Sequence, residues 1–185
     1  LSVNNLLQPS NGDPIVAPTL DMVLGVFYLT MARPGAKGEG KAFSDFDDAK
    51  LAYDIGVIDL QALVKLRIPA AAPINGESEE EPASQIVTTT MGRAIFNDAI
   101  NSVLKAHGQE SLSYFNEIVD RAGLKKIVAG LIRRFGNEDT AQVLDAIKRL
   151  GFRYATQSGT TIAISDITMP TSKDSILKVA DEEVQ

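Results

Sequence analysis

The chain has 185 residues, of which 44% are hydrophobic and 23% are charged, and its formal net charge at pH 7 is −6. This length and composition are typical of a folded region with one core or two small ones, and they exclude a disordered or collagen-like chain. Because cysteine is absent and His107 is the single histidine, disulfides, thiolate zinc sites, cysteine nucleophiles and two-histidine metal sites are excluded as well.

The first thirty residues combine a proline-rich loop with an apolar helix. Three prolines without amide donors, together with Asn11-Gly12, predict a stiff, tightly turned loop over residues 4–18. Residues 21–31 predict a helix that is apolar nearly all round and must therefore be buried. The loop carries no nucleophile, general base or metal cluster, so its chemistry predicts that it positions a substrate rather than reacts with it.

This stretch resembles a segment of a known family. The matching residues, in order, are Asn4-Asn5-Leu6-Leu7, Pro9, Asn11-Gly12, Pro14-Ile15, Pro18 and Asp21-Met22-Val23-Leu24-Gly25, followed by Tyr28 and Thr30. They resemble the segment just beyond the catalytic aspartate motif of the bacterial RNA polymerase β′ subunit. The sequence departs from that pattern at Gln8, Leu20 and Phe27.

The middle of the chain predicts a small sheet. Residues 33–41 contain three glycines and two lysines, but their spacing fits neither a P-loop nor GxGxxG, so a flexible turn is favoured over a phosphate site. Ser44 is expected to cap a helix that ends before Gly56. Apolar residues alternate over 64–68, and residues 85–90 return as the partner strand of a hairpin. The acidic stretch 69–83 between them is predicted to be a solvated surface loop.

The second half predicts helices. Apolar residues repeat at three and four from Leu124 to a stop at Gly136, within a helical region that begins near Tyr114. A second helix is predicted from Asn137 to Gly151. Residues 121–153 carry eight bases against three acids, a segregation that suits phosphate-rich partners although ordinary helix design also explains it. His107 is interpreted as a solvated loop residue.

The last part predicts a short strand over 160–164 and a final helix opened by Thr171, with Ile176, Leu177, Ala180 and Val184 on one side. The β′ resemblance continues in the middle and in the last part of the chain. Its further motifs are Thr89-Thr90-Met91-Gly92-Arg93-Ala94-Ile95, Arg133-Arg134-Phe135-Gly136, Leu150-Gly151-Phe152-Arg153-Tyr154-Ala155-Thr156, Ser158-Gly159, Ile164, Asp166 and Pro170. The sequence departs from the pattern at Gln157, Ala163 and Ser165.

The resemblance implies the pore and funnel region of β′, which lines the secondary channel for nucleotides and RNA. It implies a part of DNA-directed RNA polymerase, a nucleotidyltransferase, whose catalytic aspartates and Mg²⁺ lie outside this chain, so the isolated fragment is expected to be inactive and to hold no cofactor. The implied partners are the remainder of β′, the β and ω subunits, nucleoside triphosphates and RNA in the channel, and DNA in the complete enzyme.

The expected fold class is α+β. The expected divisions are a pore-like region, 1–113, and a mainly helical funnel-like region, 114–185, that ends in a truncated rim helix. Asn4, Asn5, Asn11 and Arg93 are the candidate channel-lining residues, with no catalytic or metal-binding residue. For Asn5 and Arg93 a structural interpretation stays open, in which Asn5 satisfies loop backbone groups and Arg93 pairs with a carboxylate that braces the hairpin.

Two other classes of protein are weighed against this assignment. A stand-alone enzyme would need convergent acid-base or metal-binding groups, whereas the sequence offers only scattered carboxylates. A non-catalytic scaffold or interaction module is the closer rival. The longest apolar run, 22–29, is too short to span a bilayer, and we expect a cytoplasmic protein without membrane partners. Because Leu1 is not methionine and the last helical pattern has not reached a stop, we expect a fragment of a longer protein.

Overall fold

The computed structural model describes residues 6–8, 10, 14–68, 84–161, 163–168 and 170–184. Within these residues the chain has an α+β fold, which confirms the predicted class. The elements in chain order are α1 (Asp21–Thr30), β1 (Ala42–Phe43), α2 (Phe46–Asp54), β2 (Leu63–Ile68), β3 (Gln85–Thr90), α3 (Met91–Ala106), α4 (Arg121–Ser158) and α5 (Lys173–Val184).

The three strands form one sheet in the order β1-β2-β3. β2 pairs with β3 in antiparallel register from Leu63 opposite Thr90 to Ile68 opposite Gln85, which confirms the predicted hairpin, while β1 pairs with β2 in parallel. Every second residue of β2 from Val64 is buried and the two residues between are exposed, as the alternation predicts. The expected surface loop, 69–83, lies outside the described residues.

The helix α2 begins one residue later than expected. Its N-cap is Asp45, whose carboxylate accepts a hydrogen bond from the Asp48 amide at 2.9 Å, so the prediction that Ser44 is the cap is wrong. Ser44 instead donates its amide to the Asp48 carboxylate at 3.3 Å. The aspartate is the better cap here because its carboxylate also suits the positive end of the helix dipole.

The helix α1 is buried on one face only within this chain. Val26 and Leu29 are fully buried, whereas Leu24 and Phe27 are 38% and 40% exposed. The expectation that α1 is buried on all sides is therefore wrong at Leu24 and Phe27 within this chain. The helix packs mainly against α4. In the described part of the preceding loop, Leu7 and Pro14 form an antiparallel bridge.

The long helix α4 corrects two predicted boundaries. It begins at Arg121, after the N-cap Asp120, whose side chain accepts a hydrogen bond from the Gly123 amide. The expectation that residues 114–120 are helical is therefore wrong. Gly136, with φ 79° and ψ −173°, divides α4 into 121–135 and 137–158, as predicted. Gly151 does not end the second part. A Cβ there would lie 2.7 Å from the Met22 carbonyl oxygen, so this glycine permits close helix packing.

The main hydrophobic core joins both halves of the chain. It draws on Val26 and Leu29 of α1, on Phe96 of α3 and on Leu131 and Ile147 of α4, among others. A second cluster lies between α2, the sheet and the start of α3. A third, small cluster joins residues of the N-terminal loop to α4. The main core includes residues on both sides of position 113. The division at 1–113 and 114–185 is not tested by it and stays a prediction.

The C-terminal residues differ from the expectation in one respect. Ile164–Asp166 form a 3₁₀ turn, in which the Ala163 amide donates to the Asp166 carboxylate at 2.8 Å. The strand predicted at 160–164 is therefore wrong for its described residues, while residue 162 lies outside them. This local bond competes with strand pairing. The final helix α5 forms as predicted, and its apolar residues Ile176 and Leu177 are 64% and 51% exposed. In the described ranges, no helix combines the length and the apolarity that crossing a membrane requires.

Candidate channel-lining site

The backbone around Arg93 is fixed by a direct passage from β3 into α3. Thr90 is the N-cap of α3, and its hydroxyl accepts a hydrogen bond from the Arg93 amide at 3.2 Å. The neighbouring Gly92 has no room for a side chain, since a Cβ would lie 1.8 Å from the Leu29 carbonyl oxygen. The Gly92 amide donates to Leu60 at 2.9 Å. The start of α3 is therefore held against the end of α1.

The Arg93 side chain connects three segments. Its Nε donates to the Thr30 carbonyl at 2.9 Å, at the last residue of α1. Its Nη1 donates to the Asn116 carbonyl at 2.9 Å and to the Asn116 side-chain oxygen at 3.3 Å. Asn116 in turn donates to the Thr88 carbonyl of β3 at 2.9 Å. The planar guanidinium suits this arrangement because its donors point in fixed, divergent directions.

The partners of Arg93 are carbonyl groups and not the carboxylate that the bracing interpretation assumed. Among the described residues, no carboxylate lies within ion-pair distance of the guanidinium. The carbonyl oxygens at a helix C-terminus carry partial negative charge, so Thr30 is a favourable acceptor for a cation. Burial lowers the pKa of Arg93, and the nearby Tyr114 and Glu117 oppose that shift. The guanidinium nonetheless stays charged at neutral pH.

A connector, defined here as residues 109–120, runs along α3 without forming a helix or a strand. The Asn97 side chain accepts from the Phe115 amide at 2.8 Å and donates to the Phe115 and Arg93 carbonyls at 2.9 and 2.8 Å. The Asn101 side chain accepts from the Leu112 amide at 2.8 Å. These bonds satisfy connector backbone groups that a helix would otherwise pair internally. They explain why the helix predicted near Tyr114 begins only at Arg121.

Thr30 is a second junction that sequence reasoning missed. It is fully buried, and its hydroxyl donates to the Val26 carbonyl and accepts from the Val119 amide, both at 2.9 Å. The end of α1 thus receives the Arg93 guanidinium on its carbonyl and the connector on its side chain. Beyond Arg93 itself, the sequence signal for this network is the pair Asn97 and Asn101, whose spacing of four places both asparagines on one face of α3.

An open groove of about 620 Å³ lies beside Asn116. Its lining includes Tyr114, Glu117 and Lys126, so charges of both signs face it. Burial raises the pKa of Tyr114, and its hydrogen bond with Thr89 at 3.1 Å opposes that shift. A groove with mixed charge holds a polyanion weakly, because each phosphate contact needs a positive charge that is not offset nearby.

The other candidate channel-lining residues cannot be placed beside Arg93. Asn4, Asn5 and Asn11 lie outside the described residues, so their role stays a prediction made from the sequence. No group of three or more His, Cys, Asp or Glu side chains in the described part is arranged to hold a metal ion.

His107 is exposed in the turn that follows α3, as expected for a solvated residue, but its imidazole also has a partner on another helix. It is the C-cap of α3, and its Nδ1 lies 2.9 Å from the Asp139 carboxylate on α4. The second oxygen of Asp139 accepts from the Gln109 side chain at 2.7 Å. The single histidine therefore helps to fasten α3 to the second part of α4.

Comparisons with known proteins show the family to which the chain belongs. The chain belongs to the family described as RNA polymerase Rpb1, domain 3, whose model matches residues 5–167. It is 45% identical over 185 residues to a DNA-directed RNA polymerase subunit β′ of Desulforudis audaxviator, covering 100% of this chain and 14% of that relative. It is 42% identical over 182 residues to the subunit β′ of Dehalococcoides mccartyi, covering 98% of this chain and 12% of the relative.

A third relative, the subunit β′ of Pelotomaculum thermopropionicum, is 42% identical over 185 residues, with 100% of this chain and 14% of the relative covered. The resemblance to the bacterial β′ subunit is thereby confirmed. The chain spans about one-seventh of the length of the curated relatives that it matches.

Proposed function

We propose that this chain is the pore and secondary-channel part of the β′ subunit of DNA-directed RNA polymerase, where it supports DNA-templated RNA synthesis. The observation that carries the proposal is the family match over residues 5–167, together with the end-to-end similarity to subunits β′. The hydrogen bonds from Arg93 to Thr30 and Asn116, which we call the Arg93 junction, add a physical role. They fix the relative positions of α1, α3 and the connector.

The nucleotidyltransferase chemistry belongs to the complete enzyme in this proposal. Phosphoryl transfer depends on metal ions that hold the attacking and leaving oxygens, and the catalytic aspartates with their Mg²⁺ are assigned to residues outside this chain. The purified 185-residue chain is therefore expected to incorporate no nucleotide on a template. The proposed partners are the remainder of β′, the β and ω subunits, nucleoside triphosphates and RNA in the channel, and DNA. The proposed location is cytoplasmic.

Asn4, Asn5, Asn11 and Arg93 are proposed to line the path of nucleotides and RNA. Neutral amides and one cation favour passage over capture, because each additional phosphate contact raises affinity and salt dependence. Arg93 fits this demand. Its Nε and Nη1 are already bonded to Thr30 and Asn116, so only part of the guanidinium is available to a passing phosphate.

A non-catalytic scaffold is the second candidate function. The observation that favours it is that the hydrogen bonds of Arg93, Asn97 and Thr30 all join segments of this chain. In that case substitutions at the junction would alter the stability of the fold and leave elongation kinetics unchanged in the assembled enzyme.

A chimeric polymerase tests the proposal. The matching segment of the Desulforudis audaxviator subunit β′, which is 45% identical, would be replaced by this chain, and promoter-dependent RNA synthesis would be measured with purified enzyme. We expect an assembled, active polymerase. A control chimera carries Gly92→Val, which would collide with the Leu29 carbonyl and should block assembly. An unmodified chimera that assembles but synthesises no RNA would contradict the proposal.

A further inference from the structure

The outer face of α1 carries an apolar stripe that the described residues leave uncovered. Leu20 is 85% exposed, and Leu24 and Phe27 follow it at helical spacing with 38% and 40% exposure. These side chains line an open groove of about 590 Å³, and Arg121 of α4 stands at its edge. We call this surface, formed by Leu20, Val23, Leu24, Phe27 and Arg121, the outer groove.

Folding of this chain does not account for the outer groove. The opposite face of α1 already buries Val26 and Leu29, and a helix that is apolar all round is normally covered on every side. Leu20 also adopts φ 51° and ψ −123°, a region that side chains with a Cβ avoid. A strained backbone that presents a solvent-exposed leucine indicates a surface completed by something else.

We propose that the outer groove is the docking site of an apolar segment from the same polypeptide, outside these 185 residues, which carries a carboxylate that pairs with Arg121. The proposal rests on the proposed function. Arg121 has no hydrogen-bond or ion-pair partner among the described residues, so its charge is open to an acidic group. The match covers only 14% of a relative, so under the proposed function most of the polypeptide lies outside these 185 residues. A segment of that polypeptide is held near the groove at a high effective concentration, which favours it over a separate molecule.

Photo-crosslinking in the complete polymerase tests this proposal. Leu24 is replaced by p-benzoylphenylalanine in the full-length subunit, the enzyme is assembled and irradiated, and crosslinked peptides are identified by mass spectrometry. We expect crosslinks to the same polypeptide outside the 185 residues. Crosslinks only to another subunit, only within the 185 residues, or none at all would overturn the proposal. The same photoreactive residue at Phe115, which packs against Phe96, is the positive control and should crosslink within the chain.

A charge reversal tests the acidic part of the proposal. Arg121→Glu should lower the crosslinking yield at Leu24 several-fold. Arg133→Glu, an exposed base on the same helix that does not line the groove, should leave the yield unchanged. An unaltered yield with Arg121→Glu would overturn the assigned carboxylate. RNA synthesis by the unmodified chimera reports on the proposed function separately, so an active enzyme without the expected crosslink removes the docking site alone.

Discussion

Gly25 of α1 and Gly151 of α4 lie in backbone contact. A Cβ built on Gly25 would stand only 1.8 Å from the Gly151 carbonyl oxygen, so no side chain fits between them. A Cβ on Gly151 would in turn stand 2.7 Å from the Met22 carbonyl oxygen. The two helices therefore approach as closely as their backbones permit. This approach brings Val26 and Leu29 into one core with Ile147 and Tyr154.

Gly25→Ala should destabilise the fold by about 3 kcal/mol, because the new methyl group meets backbone that cannot move without separating α1 from α4. Gly130→Ala is the matched control: this glycine is in the same helix as Gly151 and has open space around it, so alanine should stabilise by about 0.5–1 kcal/mol through helix propensity. Urea unfolding of the purified chain measures both. Equal effects of the two substitutions would contradict the close contact.

Thr30→Val should destabilise by about 1–3 kcal/mol, since it leaves the buried Val119 amide without its acceptor. Thr30→Ser keeps the hydroxyl and removes only a methyl group, so it should cost about 1 kcal/mol. The difference in free energy of unfolding between valine and serine at this position isolates the hydrogen bond. A serine variant less stable than the valine variant would show that the methyl group matters more.

Arg93→Ala should destabilise by about 2–3 kcal/mol, because the Thr30 and Asn116 carbonyls lose a charged donor. Arg93→Lys should recover less than half of that loss, since one ammonium cannot reach both acceptors with the geometry of the guanidinium fork. Arg133→Ala, which removes an exposed base from α4, should change stability by less than about 0.5 kcal/mol. Full recovery with lysine would show that charge alone stabilises the junction.

The stability of the chain should fall in alkaline solution. Burial raises the pKa of Tyr114 and of Tyr154 above the ordinary tyrosine value. Both phenols are protonated in the folded and unfolded chain below about pH 10. Above that pH the unfolded chain releases its protons first, so the free energy of unfolding decreases until the folded pKa values are passed.

Replacing both tyrosines by phenylalanine should reduce this alkaline slope, while Tyr114→Phe alone should reduce it partly. At neutral pH, Tyr114→Phe should cost about 1 kcal/mol for the hydrogen bond with Thr89. Urea unfolding at several pH values between about 8 and 11 measures the slope. An identical slope in the double variant and the unmodified chain would assign the alkaline loss to other groups.

Periodicity predicted most of the elements because it reports on burial. The hairpin of β2 and β3, the stop at Gly136 and the final helix α5 all follow from local patterns of apolar residues and glycine. The same signal was misleading at Gly151, where a glycine that permits contact with Met22 was interpreted as a helix end. A glycine has the same local signature in both roles, and only the packing of a distant helix distinguishes them.

The Arg93 junction was only partly predictable. The sequence indicated Arg93 as a channel-lining candidate and left open that it pairs with a carboxylate to brace the hairpin. Its acceptors are instead the Thr30 and Asn116 carbonyls, 63 and 23 residues away along the chain. Backbone acceptors have no sequence signature, so no pattern could identify them. The connector was missed for the same reason. The Asn97 side chain on α3 bonds to the connector backbone, and local propensity does not include such long-range partners.

The most direct test of the channel assignment is the rate of recovery from backtracking in a complete polymerase that carries this segment. Arg93→Ala and Asn5→Ala should alter pausing or slow this recovery while subunit assembly and promoter binding stay nearly intact. Thr30→Val is the matched structural control, since it weakens the same junction without removing a proposed channel group. If Thr30→Val changes recovery as much as Arg93→Ala does, or if both alanine variants show normal elongation and only lower melting temperatures, these residues hold the fold and the channel role is contradicted.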